Sequence, residues 1–511
     1  MSTSLAARRP GSPISAQFCL LVTFAVVAAV WVGVVGSGSR HALLHDAAPV
    51  LLAPLALWLF FSERYHVTLA VLLLYLGLLD GVAKLSSGST LATLGRDVLL
   101  YAIVLGAAVR IILRKTRLTV PPFTGLVLAW VAVCVMQLAN PVNASFLHAA
   151  TGLRQHLEFV PLFFFGYFVL RSERRLVALL ALLLVIAAAN GVVSVVQTSI
   201  GVNGLAKWGP GYASLVHGTG AGAASIFVTT TGQIKLRPPA LGNAYGFGGF
   251  VGLMAVPGAL ALLSGARRSV KLGLLLAPAM ILTTLGIVTS QARLDVVGGL
   301  VAVVAFLALT LTSRRGLGVL ALTTVLGVAG YFGISAFASN TDNRYSSIAP
   351  TRLLGTAVTA RQATLASIPT YIARYPLGAG IGSVGPAGGS SIGGAQGSGS
   401  GLDAESEFTF LLIEAGIPGL AVMLWFTVAM TAVGVRLRRI ADPALQRPLM
   451  ALVAVWIAIF ATWLFGAVTA NSPSAPFIWV TGGAFAYWYG EMRAGRLVLR
   501  PQRLRRTLAL R

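Results

Sequence analysis

The stretch RSERRLVALLALLLVIAAANGVVSVVQTSI, residues 171–200, settles what kind of protein this chain is. Arg171, Arg174 and Arg175 stand before a run from Leu176 to Ser199 that carries no ionisable side chain. At ~1.5 Å per residue such a run is a helix long enough to cross the ~30 Å of a bilayer's hydrocarbon. A helix satisfies its own backbone polar groups, which a medium without water demands. The basic cluster marks the end held in the cytoplasm.

The same alternation of apolar run and basic cluster continues in both directions. Spans are expected near 18–36, 47–61, 67–84, 97–113, 123–140, 157–170, 176–199, 242–264, 271–289, 294–312, 317–338, 408–435, 448–470 and 475–490. The expected fold is therefore all-α, a polytopic membrane helical bundle of 12–14 spans forming one integral membrane domain over residues 1–511. With 56% hydrophobic and 10% charged residues, against roughly 25% charged in soluble proteins, the chain cannot cover itself with polar surface. Lipid bilayer is its solvent.

The net charge of +24 would point to nucleic acid if the cations formed a stripe on one folded surface. They sit instead in short clusters between apolar runs, so no nucleic-acid partner is expected. With the N-terminus in the cytoplasm, 26 of the 38 Lys and Arg fall on that side, including every adjacent pair and the tail 491–511. Both termini are then cytoplasmic. Cys19 and Cys134 lie inside apolar runs and are read as small hydrophobes.

Two segments, 200–241 and 340–407, are too long and polar to be simple connections, and both fall on the extracytoplasmic face. The second contains GAGIGSVGPAGGSSIGGAQGSGSG at 378–401, readable as a flexible linker or as a mobile lid over an acceptor site.

The outer face also carries the residues that suggest chemistry. Arg237 sits in LRPPALGNAYGFGGF, where a helix N-terminus beside a guanidinium makes an anion site; it would otherwise be an interfacial arginine reaching for headgroups. Arg293 lies in TSQARLDVVGG, close to hydrocarbon, with Asp295 available as an ion-pair partner and Gln291 presented beside it. Arg374 precedes Pro376 and the glycine-rich run. Arginine suits a pyrophosphate because its planar fork matches phosphate oxygens. The acidic cluster DAESEF offers Asp403, Glu405 and Glu407 before an apolar helix, as caps or as a base for an acceptor hydroxyl. His41, His45, His148, His156 and His217 show no paired ligand spacing, so no metal or other cofactor is expected. Asp80 and Asp97 are read as interfacial, and Glu158 as a weaker site candidate.

Four segments together resemble the O-antigen polymerase and O-antigen ligase superfamily: RPPALGNAYGFGGFVGLM at 237–254, TSQARLDVVGGLVAV at 289–303, YPLGAGIGSVG at 375–385 and AESEFTFLLIEAGIPGL at 404–420. The last carries the most specific pattern, in Glu405, Ser406, Phe408, Glu414, Gly416, Ile417, Gly419 and Leu420. The resemblance spans roughly residues 175–440. It implies metal-independent transfer of a glycan from an undecaprenyl-pyrophosphate carrier at the outer face of a bacterial cytoplasmic membrane. Arg237 and Arg293 would then hold the pyrophosphate and Glu405 would be the general base. Arg374, Asn243, Tyr245, Gln291 and Glu407 would contact substrate. Ligase members place a histidine where Glu405 stands, which favours the polymerase-like branch.

The implied partners are the polyprenyl-pyrophosphate-linked glycan, the bilayer, and a chain-length regulator or other polysaccharide-assembly proteins. The alternative is a lipid-linked oligosaccharide flippase or other transporter. A metal-dependent transferase would need an acidic pair in the first outer loop, which offers only Asp46.

Overall fold

The computed structural model describes residues 52–87, 90–115, 119–143, 145–218, 225–229, 232–265, 270–311, 362, 366–384 and 406–500. The chain is mostly helical. In order, the helices are α1 (Leu52–Phe61), α2 (Tyr65–Leu74), α3 (Asp80–Ser87), α4 (Thr90–Leu113), α5 (Thr124–Met136), α6 (Phe146–Leu157), α7 (Leu162–Val169), α8 (Glu173–Ala206) and α9 (Pro210–His217). A hairpin of β1 (Ile226–Val228) and β2 (Ile234–Leu236) follows, antiparallel with Ile226 opposite Leu236. Then come α10 (Phe247–Gly265), α11 (Val270–Thr289), α12 (Arg293–Thr310), α13 (Ile368–Arg374), α14 (Glu407–Arg436), α15 (Pro443–Thr462) and α16 (Ser474–Arg493).

Among the described residues six helices are long and apolar enough to cross a membrane: Tyr65–Ser86, Glu173–Ala206, Phe247–Ser264, Arg293–Thr310, Glu407–Arg439 and Pro443–Thr462. The expected spans 18–36 and 317–338 lie outside the described residues. The expected span 157–170 is corrected. Pro161 has no N–H and its ring conflicts with the carbonyl four residues back, so the helix breaks after Leu157. What remains is α7, eight residues or ~12 Å long, too short to cross alone.

The chain divides into two compact units. One comprises residues 1–116, 172–296 and 338–346; the other comprises 117–171, 297–337 and 347–511.

In the first unit α8 is the central helix, packed by α10 and α11 along its length, with α9 lodged on α3 and α8. Small residues set the spacing. A Cβ on Gly191 of α8 would strike the backbone of Leu282, and Gly286 of α11 faces Gly191. In lipid, where burial of apolar surface supplies little drive, such close approach is what holds helices together. α8 breaks at Gly201, whose φ of 68° and ψ of −170° only glycine adopts readily. The segment 200–241, expected to be a loop, is thus built from the end of α8, α9 and the hairpin.

In the second unit α7 lies against α16, with Gly166 and Gly483 each meeting the partner helix's backbone. α14 packs on α5, α15 and α16 around Phe426, Trp456 and Trp479. α14 also breaks, at Gly416 (φ 67°, ψ −168°), with Pro418 restarting the helix beyond it. The free thiol of Cys134 is buried in α5, as a small hydrophobe would be.

Candidate functional site

The first unit joins two of the four motif segments. β2 delivers Arg237, whose backbone N–H donates to the Ser225 carbonyl at 2.7 Å, and Pro238 and Pro239 end the strand. The chain then turns tightly, with Gly242 N–H on the Pro239 carbonyl at 3.0 Å and Gly246 N–H on the Pro238 carbonyl at 3.3 Å. That turn returns Tyr245 to Arg237, whose guanidinium stands 3.6 Å from the ring centroid. Arg237 is buried, Tyr245 and Asn243 are exposed, and α10 begins at Phe247.

The other motif segment closes on this turn. Gly246 and Gly249 leave the space in which the start of α12 lies: a Cβ on Gly246 would stand 3.2 Å from the Ala292 methyl and 3.4 Å from Asp295 Oδ2. Ser290 caps the approach, accepting from Ala292 N–H at 3.2 Å, and sits with Asp295 against Gly249. Asp295 is buried within the field of Arg237. Asp295, available to Arg293 two residues away, also faces the Arg237 turn. Gln291 takes a left-handed φ of 53°, and Arg293, half-buried, opens α12. One junction therefore gathers Arg237, Asn243, Tyr245, Gln291, Arg293 and Asp295.

Two amides that sequence reasoning passed over hold this junction in place. Gln197 Nε2 donates to the Ala240 carbonyl at 2.9 Å, and its Oε1 accepts from Ala240 N–H at 2.8 Å. Asn190, two turns earlier on α8, accepts from Leu241 N–H at 3.1 Å and donates to the Gly77 and Ile186 carbonyls. The signal was present, because a buried amide in an apolar span must find partners.

The second unit joins the other two motif segments. Gly416 breaks α14 where Leu377 and Gly378 press against it, and a Cβ there would strike their backbone. Ala379 N–H donates to the Ile413 carbonyl at 2.6 Å and Ile417 N–H to the Pro376 carbonyl at 3.0 Å. From α5 and the turn after it, Gln137 and Asn140 donate to the Leu377 and Gly378 carbonyls at 2.6 and 3.0 Å. Glu414 accepts from Val384 N–H at 3.1 Å and meets His156 Nε2 at 2.5 Å. The segment 375–384, which begins the glycine-rich run, is thus fastened on both sides; residues 385–401 of the run lie outside the described residues. Glu414 stands in the most specific of the motif segments, but nothing local pairs it with His156, 258 positions away.

The remaining expected site residues fare differently. Glu405 and Asp403 lie outside the described residues. Arg374 ends α13 and is exposed, its guanidinium 5.3 Å from the Tyr375 ring centroid. Glu407, expected at the substrate, is fully buried; it accepts from the Val468 and Thr469 amides and the Thr469 hydroxyl, pinning the turn after α15. Asp80 and Asp97, expected at the interface, are buried, with Asp80 bound by Lys84 at 2.7 Å and Asp97 beside Arg96 at 3.5 Å. Among the described residues no cluster of His, Cys, Asp and Glu could hold a metal ion.

A helical chain with several bilayer-length apolar spans and a buried arginine–carboxylate junction defines the class: a multi-pass membrane protein with a polar centre at the ends of its helices. No family model, curated protein or solved structure matches it.

Proposed function

We propose that this chain is a membrane glycosyltransferase that polymerises or ligates polysaccharide repeat units from an undecaprenyl-pyrophosphate carrier at the outer face of a bacterial cytoplasmic membrane. The observation that carries the reading is the junction in which the Arg237 turn and the start of α12 with Arg293 fold onto each other around buried Asp295. Two guanidinium groups beside a helix N-terminus are a binding site for a diphosphate. In the transfer, Glu405 takes the proton from the acceptor hydroxyl. That oxygen bonds to the anomeric carbon as the carbon–oxygen bond to pyrophosphate breaks, and the pyrophosphate leaves on its polyprenyl carrier. The leaving group is already good, so positioning and stabilisation of developing negative charge supply most of the catalysis.

The test is the surface glycan made by cells carrying Arg237→Ala, Arg293→Ala or Glu405→Ala. Each variant is expected to accumulate in the membrane; the two arginine variants lose roughly 10²–10³ of transfer rate, as when one charge-stabilising donor is removed, and the Glu405 variant roughly 10²–10⁴, as when a general base is removed. Normal chain lengths and attachment in all three refute the reading. In the null strain, a single repeat unit without ladders means polymerase, and unattached full-length polymer means ligase.

The transporter reading draws on a different observation: α8 and α14 are both broken, at Gly201 and Gly416, and discontinuous helices line substrate sites in transporters. Movement of lipid-linked glycan across proteoliposomes without any change in glycosidic linkage would favour it.

A further inference from the structure

At the C-terminal end of α16 the second unit carries a collar of arginines held by aromatic side chains. Arg171, just past the end of α7, stands 5.1, 4.7 and 5.0 Å from the ring centroids of Tyr167, Phe168 and Tyr487, and its Nε donates to the Tyr167 carbonyl at 3.0 Å. Two residues along α16, on its other flank, Tyr489 receives Arg436 from the last turn of α14, Nη1 to hydroxyl at 3.2 Å, and Arg493 at 6.0 Å from its ring centroid. The loop after α14 joins the same end: Ala441 N–H donates to the Val498 carbonyl and Arg500 N–H to the Arg439 carbonyl.

The acids in this region are already engaged. Asp442 caps α15 through Ala444 N–H, and Glu491 is held by the fork of Arg496 at 2.6 and 2.7 Å. Exposed Arg436, Arg438, Arg439 and Arg493 therefore have few internal counter-charges. Tyrosines at helix ends mark the headgroup level of a bilayer, and stacked arginines there keep their Nη groups turned outward while the stem stays fixed.

We infer that this collar is a binding surface for the headgroups of anionic phospholipids. Its geometry separates it from a general excess of positive charge: three guanidinium groups at the ends of three different helices are held by tyrosines, Arg171 and Arg493 against rings and Arg436 on a hydroxyl, so lipid phosphates meet fixed donors rather than mobile lysines. The inference is independent of the transferase reading.

The experiment uses the full chain purified into nanodiscs of phosphatidylcholine, alone or mixed with phosphatidylglycerol, with retained lipid counted by native mass spectrometry after transfer to detergent. Phosphatidylglycerol is expected to be retained preferentially and to raise the thermal midpoint. Arg171→Gln, Arg436→Gln and Arg493→Gln are each expected to lower that preference about five-fold. Equal retention of the two lipids, or an unchanged preference in the triple variant, overturns the inference. Should the triple variant fail to accumulate, salt decides on the wild type: retention that falls as sodium chloride is raised supports the collar, and retention indifferent to salt overturns it.

Discussion

His156 Nε2 and Glu414 Oε2 lie 2.5 Å apart with side chains almost wholly withdrawn from solvent, and the other Glu414 oxygen accepts from Val384 N–H. The imidazole is wedged between Phe410, stacked at 5.3 Å, and Trp130, edge-on at 5.4 Å. One carboxylate thereby ties α6 and α14 to the segment 375–384.

Removing one member of such a pair leaves the other buried without its partner. Glu414→Ala is expected to destabilise by about 3–5 kcal/mol, and Glu414→Gln, which keeps an acceptor for Val384, by less. Thermal midpoints in detergent, with proteolysis at 375–384 as a local readout, measure both. Equal midpoints for wild type and Glu414→Ala would remove the tie from the account.

Gly201 and Gly416 share nearly the same backbone angles but not the same surroundings. At Gly201 an added Cβ meets nothing within 4 Å, whereas at Gly416 it meets the backbone of Leu377 and Gly378. Gly201→Ala is expected to cost about 1–3 kcal/mol, from strain alone. Gly416→Ala is expected to cost clearly more, because backbone cannot move aside as a side-chain end can. Parallel thermal unfolding of the two variants tests the difference, and a larger loss at Gly201 contradicts it.

Gln197→Leu keeps the apolar character of α8 but orphans the N–H and C=O of Ala240, each about 1–3 kcal/mol when buried and unmet. Ala240 also holds a left-handed φ of 54°, so the turn beyond it is expected to relax and Arg237 to lose its position. Under the transferase reading, Gln197→Leu then weakens transfer without touching substrate. Transfer at the wild-type rate would show that the Arg237 turn keeps its shape without this clamp.

Glu405 and Glu407 stand two positions apart and are expected to part company in mutants. Glu407→Ala leaves the Val468 and Thr469 donors unmet, so the yield of folded protein is expected to fall. Glu405→Ala is expected to leave yield intact and lower transfer by roughly 10²–10⁴. Membrane-fraction immunoblots beside glycan ladders separate the two effects; the opposite assignment would make Glu407 the functional acid.

Tyr245→Phe retains the ring beneath Arg237, and Tyr245→Leu removes it. A cation–π contact of about 0.5–2 kcal/mol predicts a graded loss, with Phe near wild type and Leu reduced up to ~30-fold in transfer rate. Equal losses for Phe and Leu would place the effect in the hydroxyl instead.

The arginine-bearing segments could be picked out in the sequence because charge is rare in this chain and each cation at a helix end needs a reason. Their support could not. Asn190 and Gln197 read as two amides in an apolar run, and only the fold shows them gripping Ala240 and Leu241. At 157–170 the apolar composition favours one continuous span, and Pro161, with no N–H to donate, breaks it.

Composition and the spacing of apolar runs were enough to establish a helical membrane chain, since a bilayer constrains length and hydropathy residue by residue. Partnership between distant residues was not recoverable that way. His156 with Glu414, Glu407 with the 468–469 turn, and Asp295 with the Arg237 turn each join residues far apart in the chain, a property of the packed chain that no local stretch encodes.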